Sequence, residues 1–133
     1  VNIGAATVTE GGSLVFAVTR TGTPTATFTI DCAQTNGTAF AGSDYTASTQ
    51  SLTFLVTDTT KNCNVTSLQD SIYEAPSQTL GAFLKNPGGP VLIGTGSASG
   101  AINDNDRAPA FSVSAASTAE GGSLSFTAVR TTI

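Results

Sequence analysis

Residues 6–20 read ATVTEGGSLVFAVTR, and in the second half of that run Leu14, Phe16 and Val18 alternate with Val15, Ala17 and Thr19. A period of two places the first three side chains on one face of an extended strand. The Gly11-Gly12 pair in front of them is turn chemistry. The same reading extends outward along the chain. Phe28, Ile30 and Cys32 share a face, as do Leu52 with Phe54, Cys63 with Val65, and Leu80 with Ala82 and Leu84. Turn signals separate these runs at Gly22-Thr-Pro24, Asn36-Gly37, Gly42-Ser43 and Asn86-Pro-Gly-Gly-Pro90. No stretch carries a helical period of useful length. Some seven short strands with this punctuation predict an all-β chain folded as a two-sheet β-sandwich.

The opening run recurs. Residues 116–130 read ASTAEGGSLSFTAVR, so that Glu10 matches Glu120, Leu14 Leu124, Phe16 Phe126 and Arg20 Arg130, at a constant spacing of 110 residues. A period of domain size means whole domains in tandem. The reading is a complete domain over residues 1–106, a linker at 107–110 and the first strands of an incomplete second copy at 111–133. Two strands cannot bury their own apolar face, so residues 111–133 need more chain or a neighbouring molecule. The chain does not begin with Met and lacks the charged and apolar segments of a signal peptide at its start. Either processing has removed a targeting segment or the chain is a piece of something longer.

Composition narrows the function. Hydrophobic residues make up 39%, enough for a thin two-layer core, while charged residues are only 11% against about 25% in ordinary soluble domains. Such a surface stays soluble through hydroxyl groups, attached glycans or burial in an assembly, which suits an extracellular, secreted or cell-surface repeat protein. The net charge is −4 and the five basic residues are scattered singly, so nucleic acid is not an expected partner. No apolar run approaches the ~18 residues of a membrane span, and no membrane insertion is expected. Histidine is absent, which removes the commonest general base. No Gly-x-Ser-x-Gly elbow and no glycine-rich loop opening a helix is present. An enzyme is therefore not expected. Only Tyr45 and Tyr73 could serve as a sugar platform.

Four motifs stand in order: EGGSLVFAVTR from Glu10, NGTAFAGSDYTA from Asn36, QDSIYE from Gln69, and IGTGSASGAINDND from Ile93 to Asp106. Together they resemble the Calx-beta repeat over residues 1 to about 106. The resemblance implies an immunoglobulin-like, two-sheet antiparallel β-sandwich. Such domains occur in the regulatory loop of sodium–calcium exchangers, in an integrin cytoplasmic segment, and in bacterial surface proteins and adhesins. Its calcium-binding members gather carboxylates from several loops at one end. The matching positions here are Glu10, Asp44, Asp70, Glu74, Asp104 and Asp106. Two departures deplete the pattern: Gln69-Asp70 stands where Asp-Asp is common, and Glu74-Ala-Pro-Ser-Gln78 where Glu-Gly-Asp-Glu is common. Either the acids hold one weakly bound calcium ion, which stiffens the joint before Arg107, or they cap turns.

Cys32 and Cys63 are the two cysteines, and strand parity points both inward. In an immunoglobulin-like order their strands belong to opposite sheets, so either an inter-sheet disulfide or two free buried thiols fits. Asn36-Gly-Thr38 and Asn64-Val-Thr66 match the N-glycosylation sequon, a weak signal in a Thr-rich chain. Three functions follow. The leading one is a structural or adhesive tandem module of a surface protein or filament, assembled head-to-tail as residues 111–133 dock on a neighbouring copy by strand addition. Phe83, off the core face, is an expected apolar contact there. The alternatives are a calcium-binding regulatory module of the exchanger type and a carbohydrate- or protein-binding adhesin.

Overall fold

A computed structural model describes residues 1–74 and 76–131; Ala75 of the Glu74–Gln78 departure, and residues 132 and 133 of the expected second copy, lie outside the described residues. Among the described residues ten strands follow in chain order: β1 Asn2–Ile3, β2 Ala6–Thr9, β3 Ser13–Thr19, β4 Phe28–Asn36, β5 Gln50–Phe54, β6 Thr60–Thr66, β7 Ser77–Gly88, β8 Ser97–Asn103, β9 Ala110–Val113 and β10 Ala128–Thr131. Eight of them form two sheets, a three-stranded β1-β3-β6 and a five-stranded β2-β8-β7-β4-β5. Pairing is antiparallel except between β2 and β8, which run parallel from Ala6↔Gly100 to Thr9↔Asn103. The first strand segment is therefore split: β1 belongs to one sheet, and the chain crosses at Gly4-Ala5 to join the other.

The inward faces are those the alternation predicts. Leu14, Phe16, Val18, Ile30, Phe54, Val65 and both cysteines are fully buried, joined by Phe28, Leu52, Leu80, Ala82 and Leu84. Phe28 and Phe54 stack with ring centroids 4.8 Å apart. Cys32 on β4 and Cys63 on β6 form a disulfide that ties the two sheets together across this core. Gly100 has a packing reason. A Cβ there would sit 2.6 Å from Cζ of Phe16 and 3.3 Å from Cγ of Leu80, so the missing side chain makes room for Phe16. Tyr45 is also buried, its hydroxyl donating to Asn36 Oδ1 at 2.7 Å; it is no sugar platform.

The expected turn at Asn86–Pro90 begins later than the sequence suggests. Strand β7 continues to Gly88, with one extra residue relative to β4 between the pairs Asp31↔Lys85 and Thr29↔Gly88. Asn86 takes φ 50° there. A bulge leaves a residue outside the ladder, which is how a strand tolerates Pro87 and its missing N–H. On the free edge of β6, the side-chain amide of Gln50 donates to Asn64 O and accepts from Asn64 N at 3.1 Å. It makes the two bonds a neighbouring strand would make.

Strands β9 and β10 form a separate exposed hairpin. Its register repeats that of β1 with β3. Asn2↔Thr19 and Ile3↔Val18 become Ser112↔Val129 and Val113↔Ala128, each shifted by the same 110 positions. The bond from Gly4 N to Ala17 O recurs as Ser114 N to Thr127 O, both at 2.9 Å. The turn recurs too: Gly12 N to Thr9 O becomes Gly122 N to Ala119 O, both at 3.0 Å, with Gly11 at φ 79° and Gly121 at φ 82°.

Candidate cation-binding pole

Because β2 and β8 run parallel, both leave the sheet at the same end, and Glu10 N donates to Asn103 O at 2.9 Å where they do so. Glu10 then starts the turn into β3, while Asp104 and Asp106 follow β8. Each of the three carboxyls places an oxygen within 4.8 Å of the others. Residues 70–74 of the β6–β7 connection reach back to them. Asp70 N donates to Glu10 Oε1 at 3.4 Å, and Glu74 N to Asp104 Oδ2 at 2.9 Å.

The six acidic positions that the family resemblance implies thus reach one pole but not one ligand group. Glu10, Asp104 and Asp106 form it. Asp44 is buried and accepts from Phe40 N at 2.6 Å, closing its own loop. Asp70 Oδ1 accepts from Ile72 N at 2.7 Å and shapes its turn. Glu74 contributes its backbone amide. Two further residues matter whose role was not apparent from the sequence. Gln69 Nε2 donates to Asn105 Oδ1 at 3.1 Å, Asn105 Nδ2 returns a bond to Gln69 Oε1 at 2.9 Å, and Gln69 also reaches Glu10 Oε2 at 3.3 Å. This reciprocal amide pair pins the β6–β7 loop to the chain after β8. It occupies the place of a carboxylate with neutral groups. The only signal for it was the Gln69 departure itself.

The charges at this pole are under strain. Burial first, then the neighbouring charges of Asp70, Asp106 and Asp104, hold Glu10 above its ordinary value, with a hydrogen bond from the Asp70 amide opposing. Glu74 is pushed up by burial, and then by Asp44, Asp70, Glu10 and Asp104. Asp106 is pushed up by burial, Asp104 and Asp70. Asp106 Oδ1 and Oδ2 differ in circumstance: Oδ2 is buried with no hydrogen-bond partner. Buried polar atoms are nearly always satisfied, so an orphaned oxygen on a carboxyl grouped with two others has the chemistry of a hard-cation ligand. Calcium takes 6–8 oxygens, and Glu10, Asp104 and Asp106 supply the charged ones. The residues fit the ion.

The remaining candidates lie elsewhere. Asn64 is exposed on β6, and Asn36 is exposed with its Oδ1 accepting from both Tyr45 and Ala41 N. Phe83 is half-buried on the outer face of the five-stranded sheet, with Lys85 Nζ 5.7 Å from its ring centroid.

Residues 5–106 match the Calx-beta domain family. Among solved structures, the chain is similar to the apo form of the Calx CBD1 domain, with a TM-score of 0.73 and 24% identity over 79% of this chain and 96% of that one. It is also similar to CBD12 from CALX1.2, with a TM-score of 0.74 and 25% identity, and to the calcium binding domain CBD12 of CALX1.1, with 0.73 and 24%. Each of these two likenesses covers 84% of this chain and 48% of the other, so the chain spans about half their length. No curated protein matches it.

Proposed function

This chain belongs to the Calx-beta family, and from that premise we propose that it is a calcium-binding module whose ion sits among Glu10, Asp104 and Asp106. The observation that carries this is the buried, unpartnered Oδ2 of Asp106 beside two other carboxyls within 4.8 Å. Bound calcium would supply positive charge at the end of β8 and tie the β2–β3 turn to the segment that leads into Arg107. The likeness to a calcium binding domain supports reading the module as a calcium-binding regulatory one of the exchanger type. The Gln69–Asn105 amide pair argues for a single ion of modest affinity. Calorimetric titration with CaCl2, with MgCl2 as comparison, tests the reading. The expected result is about one ion per chain, with a rise in melting temperature that Asp106→Asn abolishes. No heat and no thermal shift at ~10 mM calcium, well above the affinity range of extracellular modules, overturns it.

A second reading concerns the context of the module, and the repeated register of the β9–β10 hairpin favours it. We infer that residues 111–133 open a second domain of the same kind after a linker at 107–110, and that such domains assemble head-to-tail in a structural or adhesive protein. Phe111, Val113, Leu124 and Phe126 are exposed, whereas their counterparts Val1, Ile3, Leu14 and Phe16 are buried. The buried disulfide supports an oxidising, extracellular setting.

A further inference from the structure

Charge and shape are divided between the two ends of the sandwich. Of the eight acidic residues in 1–106, six stand at the pole just described. The basic residues of that span stand toward the other end: Arg20 follows β3, Lys61 pairs with Val18, and Lys85 pairs with Asp31. Asp58 and Asp31 are there as well. Among the described residues the one ion pair is Lys61 with Asp58, at 2.9 Å. The Arg20 guanidinium instead donates to the carbonyls of Leu55 and Val56, at 3.1 and 3.0 Å, and makes no direct ion pair, although Asp58 feels its charge. Arg20 borders a cavity of about 340 Å³ lined by Thr21, Thr23 and Thr25 together with Pro24, Val91 and Leu92. Leu92 is 88% exposed.

The acidic pole carries the reverse features. Phe40, Ile72 and Tyr73 project from its loops, each about half exposed or more. Ile72 and Tyr73 lie between Asp70 and Glu74, in a loop held at both ends by bonds from Ile72 N to Asp70 and from Glu74 N to Asp104. One end of the molecule is thus a negatively charged knob with an apolar tip. The other is a hollow of mixed threonine and apolar lining, edged by Arg20.

We propose that these two ends are complementary docking surfaces, and that the occupant of the Arg20 hollow is the β6–β7 loop of a second copy of this fold. The inference rests on the head-to-tail reading above and specifies the contact that makes it. Opposed charge fixes polarity, so that the acidic end meets the Arg20 end and like ends repel. Burial of Ile72 and Tyr73 against Pro24 and Leu92 supplies the apolar centre of the contact. Both surfaces lie along the direction in which the chain passes from one domain to the next, since β1 starts beside Arg20 and β8 ends at the acids.

Sedimentation of the full chain in EDTA, from low micromolar to about 1 mM, tests this. The expected result is concentration-dependent association at ~20 mM salt that weakens about tenfold or more at ~500 mM, as screening between surface charges requires. Arg20→Glu is expected to abolish it. Because Arg20 also holds two carbonyls, Thr23→Glu with Thr25→Glu, on the exposed rim of the hollow, provides a variant with no such structural duty and the same expected loss. Ile72→Ser with Tyr73→Ser should weaken association from the other side. Phe111→Ser with Phe126→Ser, in the hairpin, should leave it intact. A monomer at every concentration, or normal association of the rim variants, overturns the inference. So does loss of association in the hairpin variant alone, which would leave the head-to-tail reading standing on the hairpin instead.

Discussion

Replacing both Cys32 and Cys63 by Ala removes the single covalent tie between the sheets, and its cost follows from its position. The bridge joins residues 31 apart in sequence. In the chain-entropy account, a loop of that length constrains the unfolded chain by about 4 kcal/mol. The total stability of a small domain is about 5–15 kcal/mol, so the double variant should retain its fold only marginally. For a urea m-value of about 1.5 kcal/mol per M, the unfolding midpoint should fall by roughly 2–3 M. Equilibrium unfolding followed by far-ultraviolet circular dichroism measures this. Wild-type protein refolded with its thiols reduced keeps the sulfur atoms and separates the constraint from the small void left by Ala. The reduced protein should lose most of the same stability. A midpoint within about 0.5 M of the oxidised wild type would refute the argument. Both cysteines are fully buried, so dithiothreitol should also reduce the native protein far more slowly than the protein in urea.

Three further outcomes are expected. Gly100→Ala forces a Cβ against the Phe16 ring and should destabilise the domain by about 1–3 kcal/mol in urea unfolding, with partial recovery on adding Phe16→Leu; an unchanged midpoint would contradict the packing argument. Glu10, Glu74 and Asp106 are all held upward, so the folded chain binds protons more tightly than the unfolded one, and its stability in EDTA should decline as pH rises above their ordinary values of 4.5, 4.5 and 3.8. Asp31 and Asp58 are held down, a contribution lost only below their ordinary value of 3.8, outside that window; calcium should flatten the melting profile, and a maximum near neutral pH in EDTA would count against the strained acidic pole. Gln69→Asp should lower the melting temperature in EDTA and raise it in calcium, and a fall in both would show that the amide pair, not charge, sets the local stability.

The strands were legible in the sequence because the relevant physics is local. Leu14, Phe16 and Val18 face inward by alternation alone, and the same parity placed Cys32 and Cys63 in the core. The crossing of the first strand between sheets was not legible. It depends on β2 finding a parallel partner in β8, 94 residues away at Ala6↔Gly100, and no local pattern encodes that. At the acidic pole, the motif order brought all six acids to one end. It could not divide them, because Asp44, Asp70 and Asp104 all accept from loop amides and only the folded geometry groups Asp104 with Glu10 and Asp106. Tyr45 shows the same limit. It is buried with its hydroxyl bonded to Asn36, and a lone aromatic in a polar stretch does not announce that. The long reach of β7 past Pro87 was hidden because a bulge and a turn draw on the same residues.

The glutamine that satisfies Asn64 bears on how molecules of this kind can accumulate. By occupying the donor and acceptor there, Gln50 removes the central rung on which a foreign strand would begin to add along β6. Sideways growth into ribbons is thereby discouraged at that margin, and the two docking ends proposed above are left for growth. Crowded copies should therefore lengthen into single files rather than widen into plaques, a habit visible as fibre width.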